Sequence, residues 1–145
     1  TSVSITDFET EKEKYEISLE INKIATSVNR DYKSLHYLKW SDSDVLENFP
    51  ILSTKVEQKD RVKIIQIGHK SEYEFSDMKN YFEYAQKQDL THLVLDNYNL
   101  GNNFLQEIFQ NEEKYPFLNK VYDSTQFGYK YHIKIFEINY ELFFE

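Results

Sequence analysis

Cysteine is absent from the 145 residues, glycine occurs three times, proline twice, and methionine and tryptophan once each. Without cysteine there is no disulfide, no thiolate nucleophile and no cysteine-ligated zinc. The chain therefore carries no mark of the redox state of its compartment. Scarce glycine and proline exclude long flexible linkers and proline-rich segments. No apolar run approaches the ~18–20 residues that cross a membrane as a helix, and no signal peptide is visible. Positive charge is also short: 17 Lys and Arg against 25 Asp and Glu leave a net charge of −8. An acidic surface repels phosphate backbones, which argues against nucleic acid as a partner. Only Lys130, His132 and Lys134 gather basic side chains, on alternate residues.

Aromatic surface is what the chain has in quantity. Twelve Tyr and eleven Phe bring the aromatic share to 17% and the hydrophobic share to 40%. Disordered chains lack that capacity for burial, and 145 residues are enough for one domain with a sizeable core. The opening TSVSITD has no Met, which suggests a segment cut from a longer protein.

Periodicity organises the chain. Ile17, Ile21, Ile24 and Val28 recur at helical spacing, with Leu19 and Tyr15 widening the stripe, and Thr10 with Glu13 fits a capping box. A helix is predicted from about Thr10 to Val28. SLHYLKW (Ser34–Trp40) and RVKIIQI (Arg61–Ile67) read as strands, the first by alternation and the second by β-branching. Ser76 is placed to cap a helix with Met78, Tyr81, Phe82 and Ala85 on one face. Leu93-Val94-Leu95 is apolar on consecutive residues, as suits a strand buried on both faces. Asn102 or Asn103 is placed to cap a helix carrying Phe104, Leu105, Ile108 and Phe109, which Pro116 ends. LNKVY (Leu118–Tyr122) and YKYHIKIFEI (Tyr129–Ile138) are two further strands, with Gly128 in the turn between them. The expected fold is a single α/β domain with a mainly parallel sheet, about three flanking helices and a C-terminal antiparallel strand pair.

Candidate chemistry centres on Asp96, which ends the apolar run THLVLD ahead of the Asn-rich NYNLGNN. Receiver domains present a phosphate-accepting aspartate in this way. They also need an acidic pair to hold Mg²⁺, and the strand RVKIIQI exits into Gly68-His69-Lys70 instead. Asp96 therefore reads as the polar end of a buried strand, hydrogen-bonded to its loop. His36, His69, His92 and His132 lie far apart, so no metal site is expected. Glu112-Glu113 and Asp42/Asp44 read as solvated faces or loop caps. His69, His92 and Asp96 form a candidate polar cluster at the sheet edge. Tyr32, Tyr37 and Trp40 form a candidate aromatic binding surface, since exposed aromatics stack on sugars or sit at membrane interfaces. The C-terminal Tyr129, Tyr131, Phe136, Tyr140, Phe143 and Phe144 divide between core and one exposed flank. No catalytic residue, metal or cofactor is expected.

The run from Asp89 to Phe143 contains THLVLD, FLQEIFQNEEKYPFLNKVYDS and GYKYHIKIFEINYE. It resembles the terminal soluble segment of archaeal multi-spanning membrane glycosyltransferases, which are similar to dolichyl-phosphate-mannose–protein mannosyltransferases. The resemblance implies a non-catalytic extracytoplasmic domain following the last membrane span. Transfer of sugar from a lipid-phosphate donor would then be carried out by the membrane portion. The partners implied are that membrane portion and an acceptor glycan or protein. Two other classes stay open: a stand-alone interaction or regulatory domain of receiver-like outline without phosphoryl transfer, and a small enzyme whose site one sequence does not reveal.

Overall fold

The computed structural model describes residues 5–28, 31–37, 61–66, 77–97 and 103–145. Within them the chain forms α1 (Ile5–Ser27), β1 (Tyr32–Tyr37), β2 (Val62–Gln66), α2 (Met78–Lys87), β3 (His92–Asp96) and α3 (Asn103–Gln110). A 3₁₀ turn (Glu112–Lys114), β4 (Leu118–Asp123), a second 3₁₀ turn (Ser124–Phe127), β5 (Ile133–Ile138) and the short α4 (Tyr140–Phe143) complete it. One five-stranded sheet has the order β2-β1-β3-β5-β4.

The sheet is mixed, which corrects the expectation of a mainly parallel one. β1 pairs in parallel with β2 and β3, while β5 runs antiparallel to both β3 and β4. The C-terminal pair is antiparallel as expected, but it does not simply extend the edge in chain order. Its second strand turns back inside, next to β3, and leaves β4 outermost. Burial explains the choice. Five of the six residues of β5 are buried, on both faces, whereas Asn119 and Val121 of β4 are exposed. A strand apolar on both faces is stable only with neighbours and cover on each side, and β4 has the polar positions an edge requires.

Alternation along β3 sorts the core into two layers. Val94 faces α1 and packs with Ile17, Ile21, Ile133 and Ile135. Leu93 and Leu95 face the other way, into Tyr81, Phe82 and Ala85 of α2, Leu105, Ile108 and Phe109 of α3, and Phe136. The predicted helix faces are therefore the ones buried in α2 and α3. α1 differs: it begins at Ile5, so Thr10 and Glu13 lie within the helix and do not cap it. Tyr15 is solvent-exposed, and Ser18 and Asn22 take the positions beside Ile17 and Ile21 against the sheet. Ser18 returns its hydroxyl to Lys14 O at 2.7 Å. The Asn22 amide is buried with no hydrogen-bond partner among the described residues.

Ends and turns are held by side chains. Arg61, just before β2, donates to Val28 O (2.5 Å) and Thr26 O (2.9 Å), satisfying carbonyls at the C-terminal end of α1. Asp77 caps α2 by accepting from Asn80 N at 2.8 Å; Ser76, expected in that role, lies outside the described residues, as does Asn102. Between β4 and β5 the link is longer than the expected hairpin. Ser124 Oγ donates to Tyr131 O (2.6 Å) and accepts from Ile133 N (2.7 Å), and Gly128 closes the 3₁₀ turn at φ +82°. No helix among the described residues is long and apolar enough to cross a membrane.

Candidate functional site

Among the described residues nominated from sequence, His92 and Asp96 stand at opposite ends of one strand. His92 opens β3 and Asp96 closes it, so they stand about 13 Å apart along the strand at ~3.3 Å per residue. Both point to the α1 side, as does Val94 between them. His69 lies outside the described residues. Parallel strands end together, and His92 is at the starting edge, away from where β2 ends.

Asp96 is buried and accepts the Tyr131 hydroxyl through Oδ2. Tyr131 in turn is held by its backbone, whose N–H donates to Glu13 Oε1 of α1 at 2.6 Å. The carboxylate that looked chemical in the sequence is thus a strut between the end of β3 and the segment leading into β5. Tyr32 is wholly buried and packs against His92, with ring centroids 4.5 Å apart and the planes tilted by 30°. It contributes nothing to an exposed stacking surface. Burial, tempered by Ser34, pushes its hydroxyl up to about 12. The Tyr37 side chain and Trp40 lie outside the described residues.

His92 does sit in an arrangement with chemical content. Its Nδ1 is 2.7 Å from Thr91 Oγ1 and its Nε2 is 3.6 Å from Glu137 Oε2. Hydroxyl, imidazole and carboxylate follow the order of a nucleophilic triad. The hydroxyl, however, is already used. Thr91 Oγ1 accepts from Lys33 N at 3.0 Å and donates to Lys33 O at 3.1 Å, completing the join between β1 and β3. The imidazole is also wholly buried, so the pair serves the join between β1 and β3.

A second polar centre was not foreseen. On the α3 side of the sheet, Lys134 of β5 is buried and donates to Phe109 O (2.6 Å) and Glu112 Oε1 (3.0 Å), over the Phe109 ring. Lys120 of β4 reaches Glu112 Oε1 at 3.1 Å and Asp123 Oδ2 at 3.4 Å. His132 Nε2 lies 3.0 Å from Asp123 Oδ1, which also accepts from Thr125 N and Oγ1. Glu112 is thus an anchor and not the solvated face expected of it. Burial alone would raise its carboxyl, but the hydrogen bonds from Lys134 and Lys120 outweigh burial and hold it below the ordinary range. Asp123 is lowered likewise, burial being overcome by Thr125, His132 and Lys120. The sequence signal was the alternation His132, Lys134, which places both on one face of a strand; nothing in it named Glu112 or Asp123 as partners.

The third feature is a cleft of ≈ 480 Å³ at the edge where β1 and β3 begin and β5 ends. Asp31, Gln86, Asp89, Leu90, Thr91, Ile138 and Tyr140 line it. The α2–β3 connection forms one wall, turning sharply through Asp89 at φ +58°. Tyr140 spans from α4 to that connection by donating its hydroxyl to Leu90 O at 2.5 Å. No group of three or more His, Cys, Asp or Glu among the described residues is placed to hold a metal ion.

Comparison of the chain with models of known families, with curated proteins and with solved structures finds no match.

Proposed function

We propose that this chain is a non-catalytic extracytoplasmic domain of a multi-spanning membrane glycosyltransferase, with sugar transfer from a lipid-phosphate donor located in the membrane portion. The observation that carries the non-catalytic part is the burial of Asp96 beneath Tyr131. A carboxylate acting as base or phosphate acceptor has to meet its substrate within hydrogen-bond reach, and this one meets a protein hydroxyl instead. The parent enzyme is supported by the resemblance of the run Asp89–Phe143, which supplies β3, α3, β4, β5 and α4. The partners on this reading are the membrane portion of the same chain and an acceptor glycan or protein. The regulatory alternative is less well supported. Receiver-like folds use an all-parallel sheet of order 2-1-3-4-5, and β3 here has an antiparallel neighbour.

The test compares two substitutions in the parent enzyme. Asp96→Asn keeps an oxygen acceptor for Tyr131 and should leave sugar transfer within a few fold. Val94→Asp places a carboxylate in the apolar layer against α1 and should unfold the domain. The isolated chain should transfer no sugar from a lipid-phosphate donor. An Asp96→Asn enzyme that is inactive while its domain keeps its circular dichroism would overturn the reading, and a parent gene encoding no apolar spans would remove the membrane assignment.

A further inference from the structure

We propose that the cleft between the α2–β3 connection, the start of β1 and Tyr140 binds an uncharged saccharide unit. Its volume, ≈ 480 Å³, falls within the roughly 300–1,000 Å³ of small-molecule sites. The lining divides by chemistry. Leu90 and Ile138 are buried and form an apolar floor. The Tyr140 ring stands over that floor and is fixed there through its hydrogen bond to Leu90 O. Around the rim lie the exposed Asp31, Gln86 and Asp89, whose side chains make no hydrogen bond or ion pair among the described residues. Elsewhere in the domain carboxylates such as Glu112 and Asp123 are tied to cations or hydroxyls. Here two carboxylates and one amide share a concave surface with their polar atoms uncommitted among the described residues.

A sugar ring matches this division. Its hydroxyls donate to carboxylates in charge-assisted hydrogen bonds, and the Gln86 amide offers both a donor and an acceptor for the remaining oxygens. Its C–H face lies against an aromatic ring and an apolar floor. Anionic ligands are disfavoured by Asp31 and Asp89, in a chain of net charge −8. A polyamine would answer the carboxylates but leave the amide donors of Gln86 without acceptors. For a divalent cation the cleft offers only two carboxylates, and no group of three or more ligating side chains is placed to hold one among the described residues. The proposal concerns this chain alone and stands whether or not the parent is a glycosyltransferase.

The experiment is a titration of the isotope-labelled 145-residue chain, followed by amide chemical shifts. Methyl α-mannoside, methyl β-glucoside, methyl β-galactoside and N-acetylglucosamine are the probes, with spermidine and Mg²⁺ in separate arms. At least one sugar should saturably shift the Asp89, Leu90 and Thr91 amides with a dissociation constant of about a millimolar, as expected of an open site. Gln86→Ala, on an exposed helical position, and Asp89→Asn, which suits a left-handed backbone, should each keep the fold. Each should weaken binding about tenfold, the cost of one hydrogen bond to or from a polar rim. No shift at these amides from any of the four sugars overturns the proposal. So does sugar binding unaffected by both substitutions, or saturation of the same amides by spermidine or Mg²⁺ but not by sugar.

Discussion

Replacing Lys134 with Met isolates the electrostatic contribution of the β4–β5–α3 centre, because Met retains most of the buried stem. The change removes the donors to Phe109 O at 2.6 Å and Glu112 Oε1 at 3.0 Å. Each hydrogen bond from a charged group contributes about 1.5–3 kcal/mol. Two effects offset part of the loss. Lys134 no longer has to be desolvated, its side chain being 9% exposed, and the Met sulfur retains contact with the Phe109 ring. Glu112 keeps Lys120 at 3.1 Å and some access to water, so no carboxylate is left without a partner. The net expectation is a loss of about 2 kcal/mol, or roughly 6 °C in the melting midpoint for a domain of this size. Urea unfolding of wild type, Lys134→Met, Glu112→Gln and the double variant gives the coupling directly. It should be about 1 kcal/mol, because Glu112 is shared between two lysines. A Lys134→Met protein as stable as wild type, or more stable, would show that the desolvation of Lys134 cancels its pairing.

The acid limb of stability should follow the same groups. Glu112 and Asp123 are depressed below their ordinary values of 4.5 and 3.8, so their contribution is present above those values and lost as pH falls through the folded ones; Glu112→Gln with Asp123→Asn should flatten stability against pH there. Alkaline unfolding has the opposite sign. Tyr32 and Tyr129 are raised to about 12, so stability is full below the ordinary 10.0 and lost as pH rises toward 12, and tyrosinate absorbance from the wholly buried Tyr32 should appear only with unfolding. Asn22→Leu replaces a buried amide that has no partner among the described residues and should stabilise by about 1 kcal/mol; a loss in urea unfolding would mean that the amide is satisfied by water. Gly128→Ala finds open space for its Cβ but a backbone at φ +82° and should cost about 1 kcal/mol, whereas Gly128→Asn should cost less.

Much of the fold was legible because its elements are written in local periodicity. The apolar faces of α2 and α3 and the two-sided burial of β3 follow from spacing alone, and each is found where spacing put it. The start of α1 was misjudged because Thr10 and Glu13 match a capping pattern that helix interiors also tolerate. The polar centre was half legible. His132 and Lys134 alternate visibly, but Glu112 lies 22 residues from Lys134, and no spacing rule spans such a gap.

The sequence by itself determined the α/β class, the order of the strands and of the three longer helices among the described residues, the absence of thiol chemistry and the net negative charge, since these depend on residue type and near neighbours. Tertiary structure alone decided that β5 would enter the sheet beside β3, because that choice compares the cost of exposing an apolar strand with the cost of exposing β4. It also decided what the polar residues do. Asp96 became a strut because the approach to β5 delivers Tyr131 to it. Asp31 and Tyr140, 109 positions apart in the chain (140 − 31), came to line one cleft because β1 begins and β5 ends at the same edge of the sheet. A side chain's chemistry is set by what the fold brings to it and whether water remains, and neither quantity is local in sequence.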